Sequence, residues 1–125
     1  MIHHLLAVAA GGAAGAVARF SLSFWVSQRL GVGFPWGTLA VNLVGSYLLG
    51  LAVGIGEAAT IPPAVRAALM IGFLGAFTTF STFSVETLGL LREGESLRAL
   101  VNAAVQVVAG LALAFAGIVT ARALT

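Results

Sequence analysis

Residues 72–84 read GFLGAFTTFSTFS, which places five Ser and Thr hydroxyls inside an otherwise apolar segment. In hydrocarbon, a backbone or hydroxyl group without a hydrogen-bond partner costs several kcal/mol. A polar run at membrane depth therefore persists only where protein surrounds it or where it lines a hydrated path. The stretch predicts a membrane helix that is interrupted near its middle, and it indicates that the interruption has a function.

The composition is that of an integral membrane protein. Of the 125 residues, 60% are hydrophobic and only 8% are charged, which is too little charge to cover the surface of a soluble domain. A span needs about 20 apolar residues to cross roughly 30 Å of hydrocarbon, so the chain has room for about four helices with short loops. We expect an all-α fold made of a single four-helix transmembrane domain, residues 1–125.

Hydropathy and turn residues divide the chain into four helices. We place them at about residues 4–28, 36–57, 63–91 and 96–122. Pro62 and Pro63 suit the first turn of the third helix, and Gly94 suits the turn after it. Within the third helix, Gly72 and Gly75 are expected to relax the backbone where it leaves helical geometry.

The absence of cysteine and the scattered charges exclude several classes of function. There is no cysteine, so neither disulfides nor a thiolate metal or redox site can form. The six cationic side chains are all arginines and are scattered along the chain. A formal net charge of +2 without a basic cluster does not predict a nucleic-acid partner.

The arginines also predict the topology. Arg29, Arg92 and Arg98 follow the first and third helices, whereas Arg66, Arg122 and the N-terminal amine lie at the opposite side. An equal count favours insertion in both orientations, and two oppositely inserted copies can pair about an axis in the membrane plane. The alternative is that another factor fixes one orientation.

Small residues recur at four-residue spacing in the first two helices, as in the pair Gly11 and Gly15 and the pair Gly50 and Gly54. Such faces allow two membrane helices to approach closely. They indicate helix packing and say little about activity.

Two helices carry polar stripes. Thr38, Asn42 and Ser46 are spaced by four residues on the second helix, and Asn102 and Gln106 repeat that spacing on the fourth. Amides and hydroxyls at membrane depth either join helices or line a pore. The spacing alone leaves both interpretations open.

Two charges also lie well inside the predicted spans, away from their ends. Arg19 is about nine residues from the end of the first helix, so it needs a partner or a water-filled vestibule. Glu86 is the only acid well inside a span. Pairing of Arg19 with Glu86 or a helix end, an anion-attracting role for Arg19, and proton coupling at Glu86 are the alternatives.

The interruption itself predicts two ion sites. Phe80 and Phe83 share a helix face, and the edges of their rings carry positive partial charge that can contact an anion, beside the hydroxyls of Ser81 and Thr82. A broken helix also exposes carbonyls at the end of its first half and N–H groups at the start of its second. We expect the carbonyls near residues 75–78 and the N–H groups near residues 79–81.

These residues resemble the Fluc fluoride channel family, also called CrcB. The resemblance covers essentially the whole chain and rests on residues 11–20 (GGAAGAVARF), 35–46 (PWGTLAVNLVGS) and 72–83. It implies an antiparallel, dual-topology dimer in a prokaryotic cell membrane, with two fluoride pathways that are each built from both subunits. It also implies passive export of cytoplasmic fluoride and no enzyme chemistry.

The resemblance further implies roles for individual residues. Phe80 and Phe83 match the ring-edge fluoride contacts of the family, Asn42 its pore-lining amide, Thr38 a hydroxyl on the same path and Arg19 its vestibule arginine. The other expected pathway residues are Ser81, Thr82, Asn102 and Gln106. Gly75 and Thr78 match positions whose backbone carbonyls, from both subunits, hold a structural sodium ion at the dimer axis.

The fourth helix departs from the family pattern. Members commonly have an aromatic residue followed by hydroxyl residues at four-residue spacing, where this chain has Asn102, Gln106 and Gly110. The difference is consistent with altered pore hydration or with pairing to a second, different family member. Of the two dimers, we favour the homodimer.

Two other functions compete with the channel. A small proton-coupled exporter of cationic compounds also uses four short helices and dual topology, but it needs a carboxylate in the first helix, where this chain has Arg19. A purely structural membrane subunit would explain the glycine faces but not the hydroxyl-rich interruption.

Overall fold

The computed structural model describes residues 1–125, and the fold is all-α with four helices long and apolar enough to cross a membrane. The spans are α1 (Ile2–Leu30), α2 (Trp36–Ala58), a third span (Pro63–Arg92) and α6 (Ser96–Leu124). Their number and helical character are as predicted, and they make the chain a multi-pass membrane protein.

The third span is interrupted, as the sequence predicts. Thr78 and Thr79 have extended backbones, with φ/ψ of −89°/157° and −150°/111°. Extended geometry suits β-branched residues. The helical pieces are α3 (Pro63–Arg66), a π-helix (Ala67–Leu74), the single turn α4 (Gly75–Phe77) and α5 (Phe80–Arg92).

The expectation that Gly72 and Gly75 provide the backbone freedom for the interruption is wrong. Gly75 is helical, with φ −64° and ψ −35°, and the extended residues begin at Thr78. Gly72 instead lies against α1, because a Cβ on it would be 2.7 Å from the carbonyl oxygen of Val8 and 3.0 Å from the nitrogen of Gly12. Its small size serves helix contact.

Close backbone packing through glycine sets the helix arrangement. In α1, a Cβ on Gly11 would lie 2.0 Å from the carbonyl oxygen of Ala68, and one on Gly15 would lie 2.1 Å from that of Phe73. Through these contacts, α1 packs closely against the π-helix. α2 packs on α6 in the same way, since a Cβ on Gly50 would lie 2.1 Å from the carbonyl oxygen of Ala114.

The helix ends are fixed by glycine turns and ionic contacts. Gly31 and Gly94, with φ of 89° and 78°, adopt left-handed conformations just beyond α1 and α5, as is common at helix C-termini. Arg122 bonds Glu57 at 3.0 Å and ties the ends of α6 and α2 together.

Candidate ion pathway at the interrupted helix

The side-chain amide of Asn42 hydrogen-bonds the backbone at the interruption. The N–H of Thr79 donates to Oδ1 of Asn42 at 2.8 Å, and Nδ2 of Asn42 donates back to the carbonyl of Thr79 at 3.1 Å. The amide thus replaces both backbone bonds that Thr79 lacks outside a helix. Gly45 allows the approach, since a Cβ there would lie 2.2 Å from Cγ2 of Thr78.

The hydroxyl run caps the helix that follows. Oγ1 of Thr79 accepts a bond from the N–H of Thr82 at 3.2 Å and donates to Oγ1 of Thr82 at 2.9 Å. Oγ of Ser81 lies 3.4 Å from Oγ1 of Thr79. Thr79 is therefore the N-cap of α5, which explains why threonine is favoured at this position.

The carbonyls of residues 75–78 end the first half of the span. The last backbone bond before the interruption runs from the N–H of Thr78 to the carbonyl of Leu74 at 3.2 Å, and no backbone bond outside the helices reaches the carbonyls of 75–78. Gly75 is exposed. Neutral carbonyl oxygens of this kind suit a hard cation.

The polar residues of α2 and α6 form one hydrogen-bonded chain. Nδ2 of Asn42 donates to Oε1 of Gln106 at 2.8 Å, and Nε2 of Gln106 donates to Oδ1 of Asn102 at 3.3 Å. Asn102, which is fully buried, donates to Oγ1 of Thr87 at 2.9 Å, and Thr87 donates to the carbonyl of Phe83 at 2.7 Å. The stripes therefore join α2, α5 and α6.

The two phenylalanines border a cavity without charge. The ring centroids of Phe80 and Phe83 are 5.6 Å apart at an interplanar angle of 52°, and Phe80 is 78% exposed. Both rings line a cavity of about 280 Å³ together with Asn42, Ser46 and Gln106. No charged side chain is among its lining residues.

Arg19 borders a second cavity, which also touches Thr79. It lines a cavity of about 320 Å³ with Thr38, Thr79 and Thr82. Within the protomer, the arginine hydrogen bonds and ion pairs belong to Arg98 and Arg122, so Arg19 has no such partner. Its guanidinium is therefore available to an ion or to water.

Glu86 does not pair with Arg19. Its Oε1 accepts a hydrogen bond from Oγ1 of Thr38 instead, at 2.5 Å. Both residues line a third cavity, of about 380 Å³, which shares Ser23, Ser27 and Thr38 with the cavity of Arg19. Thr79 also lines both the Arg19 cavity and the phenylalanine cavity, so the Arg19 cavity shares lining residues with each of the other two.

Several site residues are absent from the sequence-based set. Thr87 anchors the hydrogen-bonded chain, and Ser23 and Ser27 line both the Arg19 cavity and the Glu86 cavity. Nothing local marks these three, because their importance depends on neighbouring helices. Thr79, which the sequence places at the start of the second half of the span, also bonds Asn42.

Comparisons with known proteins agree with this architecture. The family model described as "CrcB-like protein, Camphor Resistance (CrcB)" matches residues 6–118. A protein named fluoride-specific ion channel FluC from Citrifermentans bemidjiense is 50% identical over 124 residues, covering 98% of this chain and 100% of that protein. A protein of the same name from Hahella chejuensis is 48% identical over 122 residues, covering 97% of this chain and 96% of that protein.

Proposed function

The chain belongs to the CrcB-like family, and we propose that it forms a passive, fluoride-selective channel that exports cytoplasmic fluoride. One observation carries the proposal: Phe80, Phe83, Asn42 and Gln106 line a single uncharged cavity beside the interrupted helix. Ring edges and amide hydrogens carry positive partial charge that attracts an anion. The absence of a fixed charge in the lining keeps binding weak enough for the ion to leave.

Selectivity follows from replacing part of the ion's hydration. Fluoride holds its water tightly, so a path must offer donors close enough to substitute for some of that water. Ser81 and Thr82 supply hydroxyl donors along the way, Thr38 lines the path while its own hydrogen is donated to Glu86, and Arg19 raises the local anion concentration. Because chloride is larger, a narrow path of this kind excludes it.

The chemistry of hydrogen fluoride gives the channel its purpose. The neutral acid crosses the membrane and dissociates at cytoplasmic pH, which traps fluoride inside the cell. An open selective path lets the membrane potential drive the anion out. This is transport without enzyme chemistry, at the inner membrane of a prokaryotic cell.

The functional unit that we propose is an antiparallel homodimer with two pathways. The positive charges near the helix ends are equal in number on the two sides of the membrane, and this balance supports dual topology. The exposure of Gly75, Phe80, Ser81 and Thr82 in the protomer supports a partner at this face. The carbonyl oxygens of Gly75 and Thr78 from both subunits would hold a sodium ion at the axis and neutralise converging carbonyl dipoles.

Efflux from proteoliposomes tests the function. Vesicles loaded with potassium fluoride are diluted into low-potassium buffer. Valinomycin is added so that potassium leaves together with fluoride and no opposing membrane potential builds up. We expect rapid fluoride release and little chloride release from matched vesicles. No release, or equal release of the two anions, contradicts the channel, and uptake of a cationic compound driven by a pH gradient indicates the exporter.

Topology and sodium binding need separate measurements. The chain has no cysteine, so a single cysteine at exposed Glu93 reports orientation through an impermeant maleimide. We expect labelling of about half of the copies in intact cells and of all copies after permeabilisation; uniform labelling from one side contradicts dual topology. Replacing sodium with N-methylglucamine during purification is expected to lower flux, and unchanged flux contradicts the sodium site.

A further inference from the structure

Gln106 and Asn42 have different roles in the pathway. Building on the proposed fluoride channel, we propose that Gln106, and not Asn42, donates the amide hydrogen that contacts fluoride beside Phe80 and Phe83. Asn42 is a positioning residue that holds the interrupted backbone at Thr79. The assignment follows from the hydrogen bonds that each amide already makes.

The amide of Asn42 has no donor left for an ion. A primary amide offers one oxygen acceptor and two N–H donors. Oδ1 of Asn42 accepts from the N–H of Thr79, while Nδ2 donates to the carbonyl of Thr79 at 3.1 Å and to Oε1 of Gln106 at 2.8 Å. A fluoride ion could take one of these hydrogens only by releasing a partner that lies between helices.

The backbone of Thr79 fixes the direction of the whole chain of amides. Its N–H requires an oxygen and its C=O requires a nitrogen, so a reversed Asn42 amide would set donor against donor and acceptor against acceptor. Gln106 must therefore present Oε1 to Asn42 and direct Nε2 away from it. Oδ1 of Asn102 then accepts from Nε2, which leaves Nδ2 of Asn102 for Thr87.

One hydrogen of Gln106 remains without a partner. Nε2 makes a single hydrogen bond, to Asn102 at 3.3 Å. Asn102 is fully buried, whereas Gln106 is partly exposed and lines the cavity that holds Phe80 and Phe83. Gln106 and the two phenylalanines thus border one uncharged space, and our proposal places the open hydrogen there, as a donor whose orientation is already set when the anion arrives.

Side-chain amide NMR distinguishes the two residues in the unmodified protein. The chain has two asparagines, Asn42 and Asn102, and two glutamines, Gln28 and Gln106. In a fluoride titration of the 15N-labelled dimer, we expect the NH₂ signals of Gln106 to move while those of Asn42 and of exposed Gln28 stay in place. Movement of the Asn42 signals with Gln106 unchanged overturns the assignment.

A pair of nearly isosteric variants measures the contribution of the donor. Gln106→Asn and Gln106→Leu both shorten the side chain and alter the contact with Asn42, but only asparagine keeps an N–H donor. Removing one hydrogen bond to an ion is expected to make fluoride efflux about tenfold slower in Gln106→Leu than in Gln106→Asn. Equal efflux from the two variants contradicts the donor role.

The unmodified channel separates failure of this inference from failure of the proposed function. If the unmodified protein passes no fluoride, the channel itself is wrong. If it is fluoride-selective while the two variants are equally fast, only the assignment to Gln106 is wrong. Size-exclusion elution of each dimer shows whether a slow variant has lost assembly, and the NMR titration of the unmodified protein decides the question if one has.

Discussion

Asn42 on α2 makes both hydrogen bonds that the backbone of Thr79 lacks at the interrupted helix, at 2.8 and 3.1 Å. A backbone N–H and C=O left bare at membrane depth would be costly, so this pairing makes an extended segment tolerable inside the bundle. The same amide contacts Gln106. Stability of the interruption and geometry of the pathway are therefore linked through one side chain.

Replacing Asn42 with alanine should destabilise the protein and also slow fluoride efflux through it. Two polar backbone groups lose their partners, at about 1–3 kcal/mol for each group. We expect Asn42→Ala to lower the thermal unfolding midpoint of the purified dimer and to reduce fluoride efflux. Ser21→Ala is the control, because Ser21 lies on the exposed face of α1 and donates only to the carbonyl of Val17, one turn earlier; an equal effect of both variants contradicts the role of the Asn42 pairing.

The phenylalanines on either side of the interruption should respond differently to the same change. Phe80 is 78% exposed in the protomer and Phe77 is 5% exposed. Phe80→Ile is expected to reduce fluoride efflux at least about tenfold, or about 1.4 kcal/mol of barrier, with the dimer intact. Phe77→Ile should chiefly lower thermal stability. Normal efflux in Phe80→Ile would refute the ring-edge contact.

Adjacent glycines of α1 provide a test of the packing. A Cβ on Gly11 would lie 2.0 Å from the carbonyl oxygen of Ala68, whereas the nearest neighbour of one on Gly12 is 3.8 Å away. Gly11→Ala should therefore separate α1 from the π-helix and reduce the yield of folded dimer. Gly12→Ala should be neutral or stabilising by up to about 1 kcal/mol, the helix propensity difference. Similar yields and unfolding midpoints for both variants would count against this packing.

Arg19 should act through its charge. It has no partner in the protomer and borders the cavity next to Thr79, so Arg19→Gln should reduce fluoride current most strongly at low ionic strength, where attraction is least screened. Arg29 is the control, since its guanidinium lies 5.2 Å from the ring centroid of exposed Trp25. A loss of current in Arg19→Gln that does not depend on salt would point to a structural role.

Glu86 distinguishes a channel from a proton-coupled exporter. Glu86→Gln keeps an oxygen that can accept the hydrogen bond from Thr38 and removes the titratable group. In a passive channel we expect fluoride efflux to be retained or increased, because a negative charge near an anion path is removed. Abolished transport in a correctly assembled Glu86→Gln dimer would favour proton coupling.

Prediction from sequence succeeded where the signal is local. The apolar runs gave four spans, and the hydroxyl run gave the interruption at Thr78 and Thr79. It failed where a residue type has more than one use. Gly72 was expected to loosen the backbone but serves contact with α1, and the π-helix at Ala67–Leu74 has no sequence signal that we used.

The sequence by itself determined that this is a four-span membrane protein with a broken third helix, because hydrocarbon excludes unpaired polar groups and so constrains every residue of a span in the same way. The tertiary structure decided which partner each polar side chain takes. Asn42 bonds Thr79, Gln106 bonds Asn102, and Glu86 bonds Thr38 and not Arg19. Helical spacing places a side chain on a face, but the neighbour that it meets depends on how the helices are packed and rotated against one another.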